Sequence, residues 1–255
     1  MSENDHPLAL ILKDRGIHLI GQNILYYPRV SSTMDAARRM ADAGITEGTV
    51  ILADEQTAGR GRLGRQWLSS PGSSLLLSII LRPSLAKLPQ LNMVGGLAAL
   101  LSIERATGLK PAIKWPNDIL IKGKKVSGIL MENVFEGGQL KSAIVGVGMN
   151  IRLDVSSYAE ISTTATSLMA EWGREMSRWE ILLPLLEEFG RLYDELKSDG
   201  AVYEKWLSRV ETLGKTVRIR SGDFVEEGYA QSINADGSLT LKRYDGSLAT
   251  IVTGE

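Results

Sequence analysis

At 255 residues, with 44% apolar and 23% charged residues, the chain has the composition of a globular protein with one large core and a smaller second unit, and disordered and fibrous classes drop out. Its 29 basic and 30 acidic residues leave a formal net charge of −1, which argues against broad, sequence-independent nucleic-acid binding. With no cysteine, disulfides, Cys-ligated zinc, iron–sulfur clusters and thiol nucleophiles are excluded; with no apolar run near the roughly 20 residues of a bilayer span and no secretory leader, a soluble cytoplasmic protein without a membrane partner is expected.

In chain order, Leu8 to Lys13 reads as a short helix and Ile24-Leu25-Tyr26-Tyr27 as a strand. Ser32-Thr33-Met34-Asp35 fits a capping box, followed at helical spacing by Ala37, Met40 and Ala41, with Gly44 as the stop. A short buried strand is expected at 49–53, another at 73–81, and an apolar helix at 88–107. Strands at 112–115 and 119–121 flank Pro116-Asn117-Asp118. Gly123-Lys124 and Gly137-Gly138 suit hairpin turns around strands at 125–135 and 140–150, and 178–209 reads as helical. From Leu213 the texture changes to short strands at 216–220, 224–233, 238–243 and 248–252, with Asp236-Gly237 and Asp245-Gly246 turns. Hairpin-linked strands with helices grouped between them predict an α+β mixed sheet, followed by a small barrel.

Residues 54–72 break all periodicity. Gly59 to Gly64 matches G-x-G-x-x-G by letter, but Gln66-Trp67-Leu68-Ser69-Ser70-Pro71-Gly72 follows instead of the helix start that a dinucleotide fingerprint needs. The segment instead offers Arg60, Arg62 and Arg65 on a glycine-rich loop, suited to an anion through guanidinium forks and inward-pointing backbone N–H groups. By itself such a loop is as readily a solvated basic turn. Lys114-Trp115-Pro116-Asn117-Asp118 places a cation, an aromatic plane, a rigid turn, an amide and a carboxylate together, capable of ordering a lysine or holding Mg²⁺. Its bland reading is an ordinary turn with a core tryptophan. Lys125, taken alone, reads as a solvated lysine, and Gly146-Val147-Gly148-Met149-Asn150 as turn chemistry or a close backbone approach to ligand. His6 and His18, the only histidines, lie in the N-terminal region, which disfavours a histidine base or metal cluster.

Taken in order, these segments resemble the biotin–protein ligase (biotin–acetyl-CoA-carboxylase ligase) family: Ser32-Thr33 after a strand, QTAGRGRLGRQW at 56–67, KWPND at 114–118, Lys125-Val126-Ser127-Gly128-Ile129-Leu130, Gly146 to Asn150, and Ala165-Thr166-Ser167-Leu168. The resemblance implies a central mixed-sheet catalytic domain of the biotin/lipoate ligase type at 24–211, after a short N-terminal segment at 1–23 and before an SH3-like barrel at 212–255. It implies biotin and ATP as substrates, with Mg²⁺. Ser32, Thr33, Gln56, Arg60, Gly61, Arg62, Trp67, Lys125 and Gly128 would meet biotin, and Arg60, Arg62, Arg65, Lys114, Asn117, Asp118 and Asn150 would meet ATP. Arg62, Lys125, Lys114 and Asp118 would be catalytic, with Asp118 on the metal. Met34 stands where family members often have Asn, and Leu63 where some have another arginine.

The implied partner is the biotin carboxyl carrier domain of a carboxylase, and a homodimer through the main sheet is compatible with the family. A lipoate or octanoate ligase would want a longer apolar channel than Ser32, Thr33 and Gln56 suggest. A helix-turn-helix repressor needs more than the single short helix read before Ile24, so no DNA partner is expected. A passive biotin-binding module has no use for the nucleotide half.

Overall fold

The computed structural model describes residues 19–222 and 224–254; the helix expected at 8–13 lies outside them. Strands β1 (Ile24–Val30), β2 (Val50–Gln56), β3 (Ser74–Leu81), β4 (Ala112–Lys114), β5 (Asp118–Ile121), β6 (Lys124–Glu136) and β7 (Gln139–Asn150) form a seven-stranded sheet in the order β1-β2-β3-β7-β6-β5-β4. β1 runs parallel to β2 and the other neighbours are antiparallel, giving the mixed sheet of an α+β fold.

Alternation along the strands divides the molecule into two faces. Leu75, Leu77, Ile79 and Leu81 of β3 join Ala143, Val145, Val147 and Met149 of β7 in the main core. Ile80 and Ile144 face the other way, towards helix α1 (Thr33–Asp42), where they meet Met34, Ala37 and Ala41. Helix α2 (Leu88–Thr107) lies between the sheet and helix α4 (Arg178–Lys197), so it is apolar around most of its circumference. Gly95 lets it close on the sheet, because a Cβ there would stand 3.0 Å from Ile129 and 3.1 Å from Val145. Gly108, at φ 73°, ends it. Among the described residues no helix is long and apolar enough to cross a membrane.

Helix α3 (Leu168–Trp172) precedes α4, whose start is closed by a capping box between Ser177 and Glu180. The helical stretch expected at 178–209 is broken after Lys197 by Asp199 at φ 58°, and resumes as α5 (Val202–Leu207). Beyond it, β8 (Thr216–Ser221), β9 (Phe224–Ile233), β10 (Leu239–Lys242) and β11 (Leu248–Ile251) form a separate antiparallel sheet in the order β11-β10-β9-β8, consistent with a small barrel-like unit. Its apolar side, with Ile219, Ala230, Ile233, Leu239 and Leu241, is continuous with the main core. Trp115 Nε1 donates to Gly237 O at 2.8 Å, and Trp115 N to Thr212 Oγ1 at 2.9 Å, fastening the two sheets together.

Two local expectations need correction. The β5–β6 turn is Lys122-Gly123, one residue earlier than Gly123-Lys124: both central residues take positive φ, 50° and 79°, as a two-residue hairpin loop of this hand requires. At the start of α1, Ser32 accepts from Met34 N at 3.2 Å, but Asp35 pairs with Arg60 at 2.8 Å, so an ion pair to the arginine–glycine loop takes the carboxylate that a capping box would have used.

Asp54 ties β1, β2 and α4 together. Tyr26 donates to its Oδ2 at 2.5 Å and Arg178 pairs with its other oxygen. Burial first, and then this carboxylate acceptor, push the Tyr26 phenol from 10.0 up to about 12. The folded protein therefore holds this proton more tightly than the unfolded chain. The associated stability is intact below about pH 10 and is lost as pH rises through about 12. Tyr26→Phe should cost about 1 kcal/mol at neutral pH, and urea unfolding should show its deficit shrinking across that alkaline window. A deficit that stays constant there would show that the hydroxyl proton is not its source.

Candidate active site

A cavity of about 470 Å³ opens on the α1 face of the sheet, within the range of about 300–1,000 Å³ usual for small-molecule sites. Its floor follows from strand register. Leu76 of β3, Gly148 of β7, Gly128 of β6 and Asp118 of β5 lie in one cross-strand row, and Ser78, Gly146 and Leu130 in the next. Glycine at 128, 146 and 148 leaves bare backbone under the cavity. That space is used: a Cβ on Gly148 would stand 2.6 Å from the Trp67 ring, one on Gly128 3.0 Å from Lys125 Nζ, and one on Gly146 2.7 Å from Met34 Sδ.

Lys125 reaches this floor because of a β-bulge. Asp118 pairs with Gly128 and Ile119 with Ser127, but Leu120 pairs with Lys125, so β6 carries one extra residue. Strict alternation from Gly128 would send Lys125 into the core and Val126 into the cavity. The bulge reverses that: Val126 is fully buried in the main core, and Lys125 lines the cavity. Its backbone is held by Lys125 N donating to Thr164 O and Thr166 N donating to Lys125 O, at 2.8 and 2.9 Å. Its ammonium pairs with Asp118 Oδ1 at 2.7 Å and lies 5.6 Å from the Trp67 ring centre.

The polar end of the cavity is a short hydrogen-bond relay. Ser78 Oγ donates to Thr33 Oγ1 at 2.9 Å, and Gln56 Oε1 accepts from both Thr33 Oγ1 and Thr33 N, at 3.0 and 2.7 Å. Ser32 does not line the cavity; it is fully buried as the helix cap.

The arginine–glycine loop crosses the mouth. Arg60 bridges Asp35 and Glu132, at 2.8 and 3.1 Å. Arg62 donates to Asn117 Oδ1 at 2.9 Å, to Thr253 Oγ1 at 2.7 Å and to Gly254 O at 3.4 Å, so the end of the chain closes one side of the site. Asn117 is itself fixed through Ile129, donating from Nδ2 to its carbonyl at 2.7 Å and accepting from its N–H at 3.0 Å. Lys114, Arg65 and Gly61 complete this side. Opposite, Asn150 donates to Thr166 O at 3.0 Å while its buried Oδ1 has no partner among the described residues. A segment from Glu160 to Ala165 forms the remaining wall.

Such a cavity, with a neutral polar pocket at one end and clustered cations at the other, suits a small organic acid next to a phosphate-bearing molecule. Residues 26–150 match the model of the biotin/lipoate A/B protein ligase family. The bifunctional ligase/repressor BirA of Bacillus subtilis is 36% identical over 233 residues, covering 89% of this chain and 72% of that protein. The chain belongs to the biotin/lipoate ligase family. The biotin–[acetyl-CoA-carboxylase] ligase of Paracoccus denitrificans is 33% identical over 84% of this chain and 92% of its own length. Among solved structures, the biotin protein ligase from Aquifex aeolicus in complex with biotin and ATP has a TM-score of 0.77 at 32% identity, covering 92% of this chain and 97% of that one.

The segments singled out in the sequence converge. Thr33, Gln56, Arg60, Gly61, Arg62, Arg65, Trp67, Lys114, Asn117, Asp118, Lys125, Gly128 and Asn150 all line the one cavity, and Ser32 stands behind it. The sequence reading missed Ser78, Gly254 and the wall residues Glu160, Ile161, Thr163 and Thr164, though it had singled out Ala165 beside them. Ser78 left a trace, as a hydroxyl inside an otherwise apolar strand; Gly254 left none. Gly148→Ala should force Trp67 off the floor at about 1–3 kcal/mol, and calorimetry should find ligand affinity about 10- to 100-fold weaker. Unchanged affinity would mean that the indole is not part of the binding surface.

Proposed function

We propose that this chain is a biotin–protein ligase that forms biotinyl-5′-AMP from biotin and ATP and transfers the biotinyl group to a lysine of a biotin carboxyl carrier domain. One observation carries the reading: a single cavity joins the Thr33–Gln56 hydrogen-bonding end to Arg62, Asn117, Asp118 and Lys125. The first end suits a polar cyclic head group and the second a carboxylate meeting a phosphate.

In the first step a biotin carboxylate oxygen attacks the α-phosphorus of ATP and pyrophosphate leaves. In the second, the carrier amine attacks the acyl carbon of the mixed anhydride and AMP leaves. Neither step needs a protein nucleophile; both need positioning and charge stabilisation. Arg62, held in place by Asn117, and Lys125, projected by the bulge, supply fixed positive charge where the carboxylate and phosphate meet. Arg60, Gly61 and Arg62 cross the mouth of the site, which guards a hydrolysable anhydride from water.

Among the described residues no cluster of three or more acidic or histidine side chains is placed to cage a metal. The single carboxylate of Asp118 fits magnesium that arrives with phosphates and water as its other ligands. When bound, the ion neutralises phosphate charge. The domain division at 211/212 belongs to the same proposal and is supported by the separate four-stranded sheet beyond it; the Arg62–Thr253 contact supports a closing role for the segment after that sheet.

The test is pyrophosphate release with Mg·ATP and biotin, lipoate or octanoate in parallel, then mass gain on a carrier-domain lysine. Biotin alone should support both steps; release with lipoate or octanoate only would overturn the substrate, and release with none the activity. Arg62→Ala should slow adenylation by about 10²–10³, and a loss below about threefold would remove Arg62 from the chemistry.

A further inference from the structure

Met34 follows Thr33 in the first turn of α1, is only 3% exposed, and lines the cavity. Its thioether rests on bare backbone, since a Cβ at Gly146 would come within 2.7 Å of Sδ. Behind it lie Ile80, Ile144 and Leu130, in the apolar cluster between α1 and the sheet. Methionine is normally an adaptable side chain. Here a strand on one side and packed aliphatic groups on the other leave it little room to retract.

The relay beside it fixes what this end of the cavity recognises. Gln56 Oε1 already accepts two hydrogen bonds from Thr33, so the amide has its Nε2 donors left to offer. Thr33 Oγ1 accepts from Ser78 and donates to Gln56, keeping one lone pair free to accept. A ring with a carbonyl beside an N–H matches that donor and acceptor pair, and Met34 lines the cavity beside both residues.

We propose that Met34 is a specificity-determining residue that sets the size limit for the ring of the acid substrate, with Gly146 as the position that makes room for it. The inference rests on the biotin reading above. Thr33 and Gln56 supply the polar match, and Met34 supplies the steric stop; enlarging the ring by one carbon meets the thioether rather than water.

The experiment compares kcat/KM for pyrophosphate release with biotin and with a homologue whose cyclic urea ring carries one extra methylene, in wild type, Met34→Ala and Met34→Leu. Met34→Ala should shift the ratio towards the larger acid by at least about 10-fold, the lower end of what one methylene is worth in a pocket. Met34→Leu, nearly equal in volume, should keep the wild-type ratio, and KM for ATP should not move in either variant. If Met34→Ala does not fold, Met34→Val is read in the same way. An unchanged ratio in a variant that still uses biotin, or a change in ATP KM without one in the ratio, overturns the role of Met34. No release by the wild type with biotin sinks the underlying reading instead.

Discussion

Residues of a β-strand point alternately to opposite faces, and in this molecule that constraint decides both the core and the site. In β7 the odd positions Ala143, Val145, Val147 and Met149 enter the main core, while even positions Gly146 and Gly148 face the cavity. The same strand thus seals the interior and leaves a groove on its other side. Trp67 and Met34 occupy that groove directly on the backbone, which is why glycine rather than alanine stands beneath each. A local departure from alternation, the bulge in β6 opposite Ile119 and Leu120, places Lys125 among the cavity residues and returns Val126 to the core.

The charges are organised by neighbours on other elements rather than by burial. Arg60 is held by one carboxylate from α1 and one from β6; Arg62 by an amide from the KWPND turn and by the end of the chain; Lys125 by Asp118 across a hairpin. Exposed or half-exposed pairs of this kind contribute little to stability, about 0–1 kcal/mol each. In the proposed reaction they would pre-position cations for an incoming carboxylate and phosphate. A chemistry built on positioned cations also agrees with a chain that has no cysteine.

The strands and the long helices were legible because their patterns are long and strongly apolar: β3 is a run of Leu and Ile, and α2 has Gly108 as a clear stop. Smaller features were misjudged where a tertiary partner took over a local role. Asp35 is a plausible capping residue until Arg60 is present, and Gly123 invites a turn centred one residue too late until Lys122 is seen in the left-handed region. Ser32, which the resemblance implied as a biotin contact, is buried as the cap of α1 behind Thr33.

The sequence by itself determined the residue types at the site and their order along the chain, and its motifs carried the resemblance to the family. Only the tertiary structure decided which way Lys125 points, that Ser78 backs the Thr33–Gln56 pair, and that Thr253 and Gly254 reach Arg62 across 191 and 192 positions of sequence. Strand register, a one-residue bulge and the docking of a distant segment are properties of pairing between elements. Local spacing carries no information about pairing, so none of the three can be read along the chain.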